Sequence, residues 1–120
     1  MRSQLTDQVR LQHMLDAARQ AHSYAAECDF ETFRGERMRV DATLRQLEIL
    51  GEAAKNVSAA FKAAYPEIAW RAVGQARDFY AHGYFAVNQR RVWSIVQNDL
   101  PPLIAQLEAI LKKDDDGTTH

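Results

Sequence analysis

Arg77, His82 and Tyr84 stand in the stretch "ARDFYAHGYF", residues 76–85, in the spacing Arg-x4-His-x-Tyr. A guanidinium stays charged and matches the oxygens of a phosphate, an imidazole gives or takes a proton near neutral pH, and a phenol can hydrogen-bond or be modified. Together they offer a fixed cation for a phosphate beside a group that can move a proton. On an unbroken helix Arg77 and His82 point about 140° apart, because each residue turns roughly 100°. Arg77 and Tyr84 nearly align, and Gly83 makes it cheap for the chain to loosen so that the imidazole reaches the same cleft. Spacing alone leaves a second use open. Arginine and histidine at a helix end also satisfy free carbonyls and complement the helix dipole, and Tyr84 with Phe85 also forms an amphipathic cap on a core.

Other polar groups bear on the same question. Asp41, Arg45, Glu48, Glu52 and Lys55 form a polar stripe in which Glu48 lies one turn from Glu52. Like charges so placed cost a few tenths of a kcal/mol, so a cation is expected beside them. It could be Lys55 in a solvated salt bridge, a partner chain, or Arg77 or His82, in which case Glu52 is the better candidate to orient the site. Arg34, Arg37 and Arg39 in one stretch and Arg90 with Arg91 in another could track an RNA backbone, with Trp70 or Tyr84 stacking a base, or could simply face solvent. His13 and His22 lack a second ligand at i+3 or i+4, so no metal site is expected, and no cofactor either. Met14 and Met38 read as core filling.

The elements that must position these groups are helical throughout. The chain has 120 residues, 47% of them hydrophobic, with 15 basic against 16 acidic residues, which fits one modest domain and gives no global pull toward nucleic acid. Apolar residues from Leu5 to Ala25 recur at three- and four-residue steps up to a break at Cys28 and Asp29. After a connector holding Gly35, the positions Val40, Leu44, Leu47, Gly51, Ala54, Val57 and Phe61 predict a second helix of about six turns, with a close crossing at Gly51, Ala53 and Ala54. Pro66 and Glu67 read as the start of a third helix ending at Gly83, with Val73, Ala76 and Tyr80 on its apolar face. From Asn88 a fourth stripe runs through Val92, Val96, Leu100, Leu103 and Leu107, broken by Pro101 and Pro102, which must kink it or begin a new helix in line. The expectation is an all-α, antiparallel four- to five-helix bundle over residues 1–112, with a disordered tail at 113–120. Cys28, the single cysteine, rules out an intrachain disulfide and suits a reducing compartment. No apolar run approaches the roughly 20 residues of a membrane span, and the polar start lacks a signal-peptide core, so a cytoplasmic location is expected.

The segments "RQLEILGEAAKNVS", "WRAVGQARDFYAHGYF" and "RRVWSIVQNDLPPLIAQLEAIL", in that order, resemble the HepT family, the toxin half of HepT/MntA toxin–antitoxin pairs within the HEPN superfamily of helical ribonucleases. The likeness covers about Arg37 to Leu111. It implies metal-independent RNA cleavage in which Arg77 and His82 carry the nuclease motif, and a two-fold homodimer that brings two copies of each into one cleft. It also implies a cognate nucleotidyltransferase antitoxin of the MntA type that transfers AMP from ATP to Tyr84. An alternative is a non-catalytic helical module that docks such a nucleotidyltransferase. The two separate on His82, which only the enzyme requires.

Overall fold

The computed structural model describes residues 2–78 and 85–118, with side chains over 6–78 and 89–113. Helix α1 spans Arg2–Ala25, α2 Phe30–Gly35, α3 Arg37–Lys55, α4 Ala59–Ala64 and α5 Trp70–Gly74, which tightens into a 3₁₀ turn at Gln75–Arg77. Helix α6 (Phe85–Ser94) passes through a π turn at Ile95–Asp99 into α7 (Leu100–Thr118). No strand occurs among the described residues.

The core forms where α1 lies on α3 and α7. On α1 the buried stripe is Leu11, Met14, Leu15, Ala18, Ala21 and Ala25, and its alanines bring the neighbouring backbones close. On α3 it is Val40, Leu44, Leu47, Leu50 and Ala54. Val92, Val96, Leu100, Leu103, Leu107 and Ile110 complete the core from α6 and α7, so the stripe does continue across the two prolines. The π turn is how it continues. Pro101 and Pro102 have no N–H to give the carbonyls of Gln97 and Asn98 and their rings would press on them; widening the turn, with Leu100 N–H donating to Ile95 O, relieves this.

Three boundaries differ from the sequence pattern. The second predicted helix divides, because Asn56 caps α3 and Ser58 starts α4 by accepting from Phe61 N at 3.2 Å. Asp7, buried on α1, fastens this joint: it accepts from Ser58 N at 2.9 Å and from Ser58 Oγ at 2.6 Å. The third helix begins at Trp70, not at Pro66, since Ile68 turns into the core and Trp70 Nε1 donates to Tyr65 O at 2.9 Å. The connector holding Gly35 is the short helix α2, whose first turn Asp29 caps by accepting from Thr32 N at 2.8 Å. Met14 is buried, but Met38 is 87% exposed and fills no core. Helical backbone also runs to Thr118, beyond Ile110, the last buried residue among those whose side chains are described, as propagation from an anchored turn allows.

Candidate active site

Arg77 is placed by two glycines. Gly51 on α3 and Gly74 at the end of α5 let the backbones cross so closely that a Cβ on Gly51 would lie 2.6 Å from Arg77 N and 2.9 Å from Gly74 O. The close crossing expected from the small residues of α3 is therefore present, and it delivers the backbone of Arg77 onto that helix. One residue along α3, Glu52 receives the guanidinium, with Arg77 Nη1 2.9 Å from Glu52 Oε2. Asp78 stands 3.7 Å from Arg77 Nε. Both partners of the Arg77–Glu52 pair are partly open to solvent, at 39% and 55% exposure of their side chains. Such a pair adds little to stability. What it does is hold a planar donor fork in one orientation while leaving N–H groups free for a phosphate oxygen.

His82 and Tyr84 lie outside the described residues, as do Tyr80 and Gly83. The chain is described again from Phe85, the first residue of α6.

The remaining sequence candidates fall in several places. The three carboxylates of α3 face separate cations: Glu48 pairs with Arg45 and Glu52 with Arg77, while Asp41 lies 3.9 Å from Arg37. Glu48 and Glu52 also line a cleft of about 350 Å³ between α1 and α3, together with Arg10, His13, Arg45 and Asn56, so Glu52 stands between that cleft and Arg77. Arg34 is paired with Glu31 on α2 at 3.2 Å. Arg39 is tied to Glu36 and to Tyr24 O, closing the end of α1. Arg90 lies 4.1 Å from the centre of the Phe30 ring, which itself meets Trp93 edge to face at 5.9 Å. Arg34, Arg39 and Arg90 are thus drawn into local contacts with residues other than Arg77. Burial pushes the Cys28 thiol up from its ordinary value, as suits an unreactive side chain bonded to Ala25 O. No cluster of metal-ligating side chains occurs among the described residues.

A groove of about 670 Å³, not marked by any motif in the sequence, lies between α3, α5 and the α6–α7 unit. Leu47, Leu50, Val73, Ala76, Ile95 and Leu103 give it an apolar lining, with Arg91, Glu67 and Asp99 at its polar positions. The residue just before Arg77 is therefore part of this groove. No run in the sequence signals it, because its lining is drawn from several separate elements.

A short α5 packed through glycines onto a long α3, with an arginine held at the crossing, defines an all-α protein whose candidate site is a helix-end cation. The family model for HepT-like ribonucleases matches residues 14–110, and the chain belongs to that family. A probable ribonuclease HepT of Thermococcus cleftensis is 36% identical over 102 residues, covering 85% of this chain and 93% of the relative. Putative RNases of Caldanaerobacter subterraneus subsp. tengcongensis and Methanocaldococcus jannaschii are 32% and 31% identical, covering 87% and 85% of this chain and 93% and 84% of theirs. No solved structure matches the chain. No helix among the described residues is long and apolar enough to cross a membrane.

Proposed function

We propose that this chain is an endoribonuclease toxin that cleaves RNA through Arg77 and His82 without a metal ion. The observation that carries the reading is the Arg77 guanidinium, set by the Gly51 crossing and oriented by Glu52 with donors to spare. In the reaction the 2′-oxygen of RNA attacks the adjacent phosphorus and the bond from phosphorus to the 5′-oxygen breaks. The 2′-OH proton passes to a base, the leaving oxygen gains one from an acid, and the products end in a 2′,3′-cyclic phosphate and a 5′-OH. Arg77 neutralises charge building on the phosphoryl oxygens. Glu52 is a positioning residue, with Glu48 one turn away. A single chain brings one motif histidine, and two-fold pairing supplies the second. The apolar groove that runs up to Ala76 supports such pairing, because a second copy seated there would bring both Arg77 side chains toward one cleft.

Regulation follows from the third motif residue. Transfer of AMP from ATP to the Tyr84 oxygen by a nucleotidyltransferase antitoxin, with release of pyrophosphate, would put an anion beside Arg77 that fills the phosphate site and repels RNA.

The test uses a defined oligoribonucleotide and its copy carrying 2′-O-methyl at the cleaved nucleotide. Cleavage of the first to cyclic-phosphate ends and none of the second supports the mechanism. Cleavage of both, or 5′-phosphate products, would show a different nucleophile.

A further inference from the structure

Next to the same crossing, Lys55, Lys62, Trp70, Arg71, Gly74 and Gln75 line a groove of about 410 Å³. Three of these are cations and none is a carboxylate. Lys55, Lys62 and Arg71 take part in no ion pair among the described residues, whereas Arg34, Arg39, Arg45 and Arg77 do. Unneutralised positive charge gathered in one concavity is costly to leave without a counter-ion, and it is what a polyanion seeks.

The groove is also built. A Cβ on Gly74 would lie 3.1 Å from Lys55 Cγ, so the stem of Lys55 lies against that glycine and its ammonium is carried along α5. Lys62 reaches back toward Lys55 O at 3.4 Å. Trp70 is held by its hydrogen bond to Tyr65 O and its edge-to-face contact with Phe61 at 6.4 Å between centroids, which gives the groove a fixed aromatic wall. Gly74 joins it to the candidate site, since the same residue touches the Gly51 crossing that sets Arg77.

We propose that this groove binds the single-stranded RNA backbone flanking the cleaved phosphate, with Lys62 and Arg71 on phosphates and Trp70 beside a base. The inference rests on the ribonuclease reading for its choice of polyanion. It takes the place of Arg34, Arg39 and Arg90 as the RNA track, because those are already engaged with Glu31, Glu36 and Phe30.

The experiment measures anisotropy of a fluorescein-labelled, fully 2′-O-methylated 12-mer, which binds but has no free 2′-OH, against the full-length parent over a salt series. Cleavage of the unmodified oligomer is followed in parallel. Removing one cation that neutralises a phosphate of a single strand lowers the slope of log K against log salt by about 0.7, so Lys62→Gln with Arg71→Gln should reduce it by about 1.4 and weaken binding roughly tenfold. Lys62→Arg with Arg71→Lys should restore both, and Arg34→Gln with Arg90→Gln should change neither. An unchanged slope in the Lys62/Arg71 variant, with cleavage intact in the parent, overturns the groove and leaves the ribonuclease standing. Groove-dependent binding without parental cleavage keeps the groove and removes the nuclease. Absence of both binding and cleavage sinks the two together.

Discussion

Replacing Gly51 with alanine should damage both stability and activity, although alanine is the better helix former. The added methyl would meet Arg77 N at 2.6 Å, Gly74 O at 2.9 Å and Arg77 Cβ at 3.1 Å. Two of these are backbone atoms that no rotamer change can move, so α5 must retreat from α3 by roughly 0.8 Å to reach ordinary contact. Overpacking of this kind costs about 1–3 kcal/mol, against a gain of about 1 kcal/mol in helix propensity. The net expectation is a loss of up to about 2 kcal/mol, a fall of several degrees in Tm for a domain of this size. Because the shift displaces the guanidinium itself, RNA cleavage should drop by about 10- to 100-fold. The other glycines calibrate the result. At Gly74 the methyl meets only the flexible side chain of Lys55, at 3.1 Å, so the loss should be smaller. At Gly35 nothing lies within 4 Å, so alanine should be neutral or stabilise by a few tenths of a kcal/mol. Urea unfolding of the three variants beside the parent gives the order directly. A Gly51→Ala protein as stable and as active as Gly35→Ala would show that α3 and α5 do not cross as described.

Further expectations follow from named contacts. Asp7→Ala leaves Ser58 N and Oγ without their acceptor in a buried joint and should cost about 1–3 kcal/mol in urea unfolding. The cap bond from Thr32 holds the Asp29 carboxyl below the usual carboxylate value, so its contribution is present above the unfolded pKa and lost as pH falls through the lower folded one. The parent should accordingly lose more stability than Asp29→Asn below about pH 4, with parallel acid titrations as the check. Glu52→Gln keeps a hydrogen-bond acceptor for Arg77 but removes its charge; cleavage should fall by about tenfold while Tm changes little, and an equal loss from Glu48→Gln would argue that neither acts through Arg77.

Much of this arrangement was legible in residue spacing. The buried stripes of α1, α3 and the last helices follow the three- and four-residue steps directly, because each long helix has one face to cover. The Gly51 crossing was legible too, since small residues amid a strong apolar repeat have few other uses. The division between α3 and α4 was not, as Val57 and Phe61 keep the apolar phase while Ser58 breaks the backbone for a buried Asp7 far away in the chain. Trp70 as a helix start was hidden for the same reason: a bond to Tyr65 O outweighs the proline signal at Pro66. Glu52 was legible as a carboxylate in need of a cation, but its choice of Arg77 over Lys55 depends on how α5 crosses α3. The cationic groove was illegible because its charges come from three separate elements, none of them a run.

Metal-free RNA cleavage by Arg77 and His82 can be tested on a mixed cellular RNA pool in excess EDTA. The purified parent and His82→Ala, prepared identically, are compared side by side, with mass spectrometry confirming that neither carries AMP. Cleavage by the parent alone, leaving cyclic-phosphate ends, is the expected result. Two inert proteins, or two that cleave equally, would contradict it.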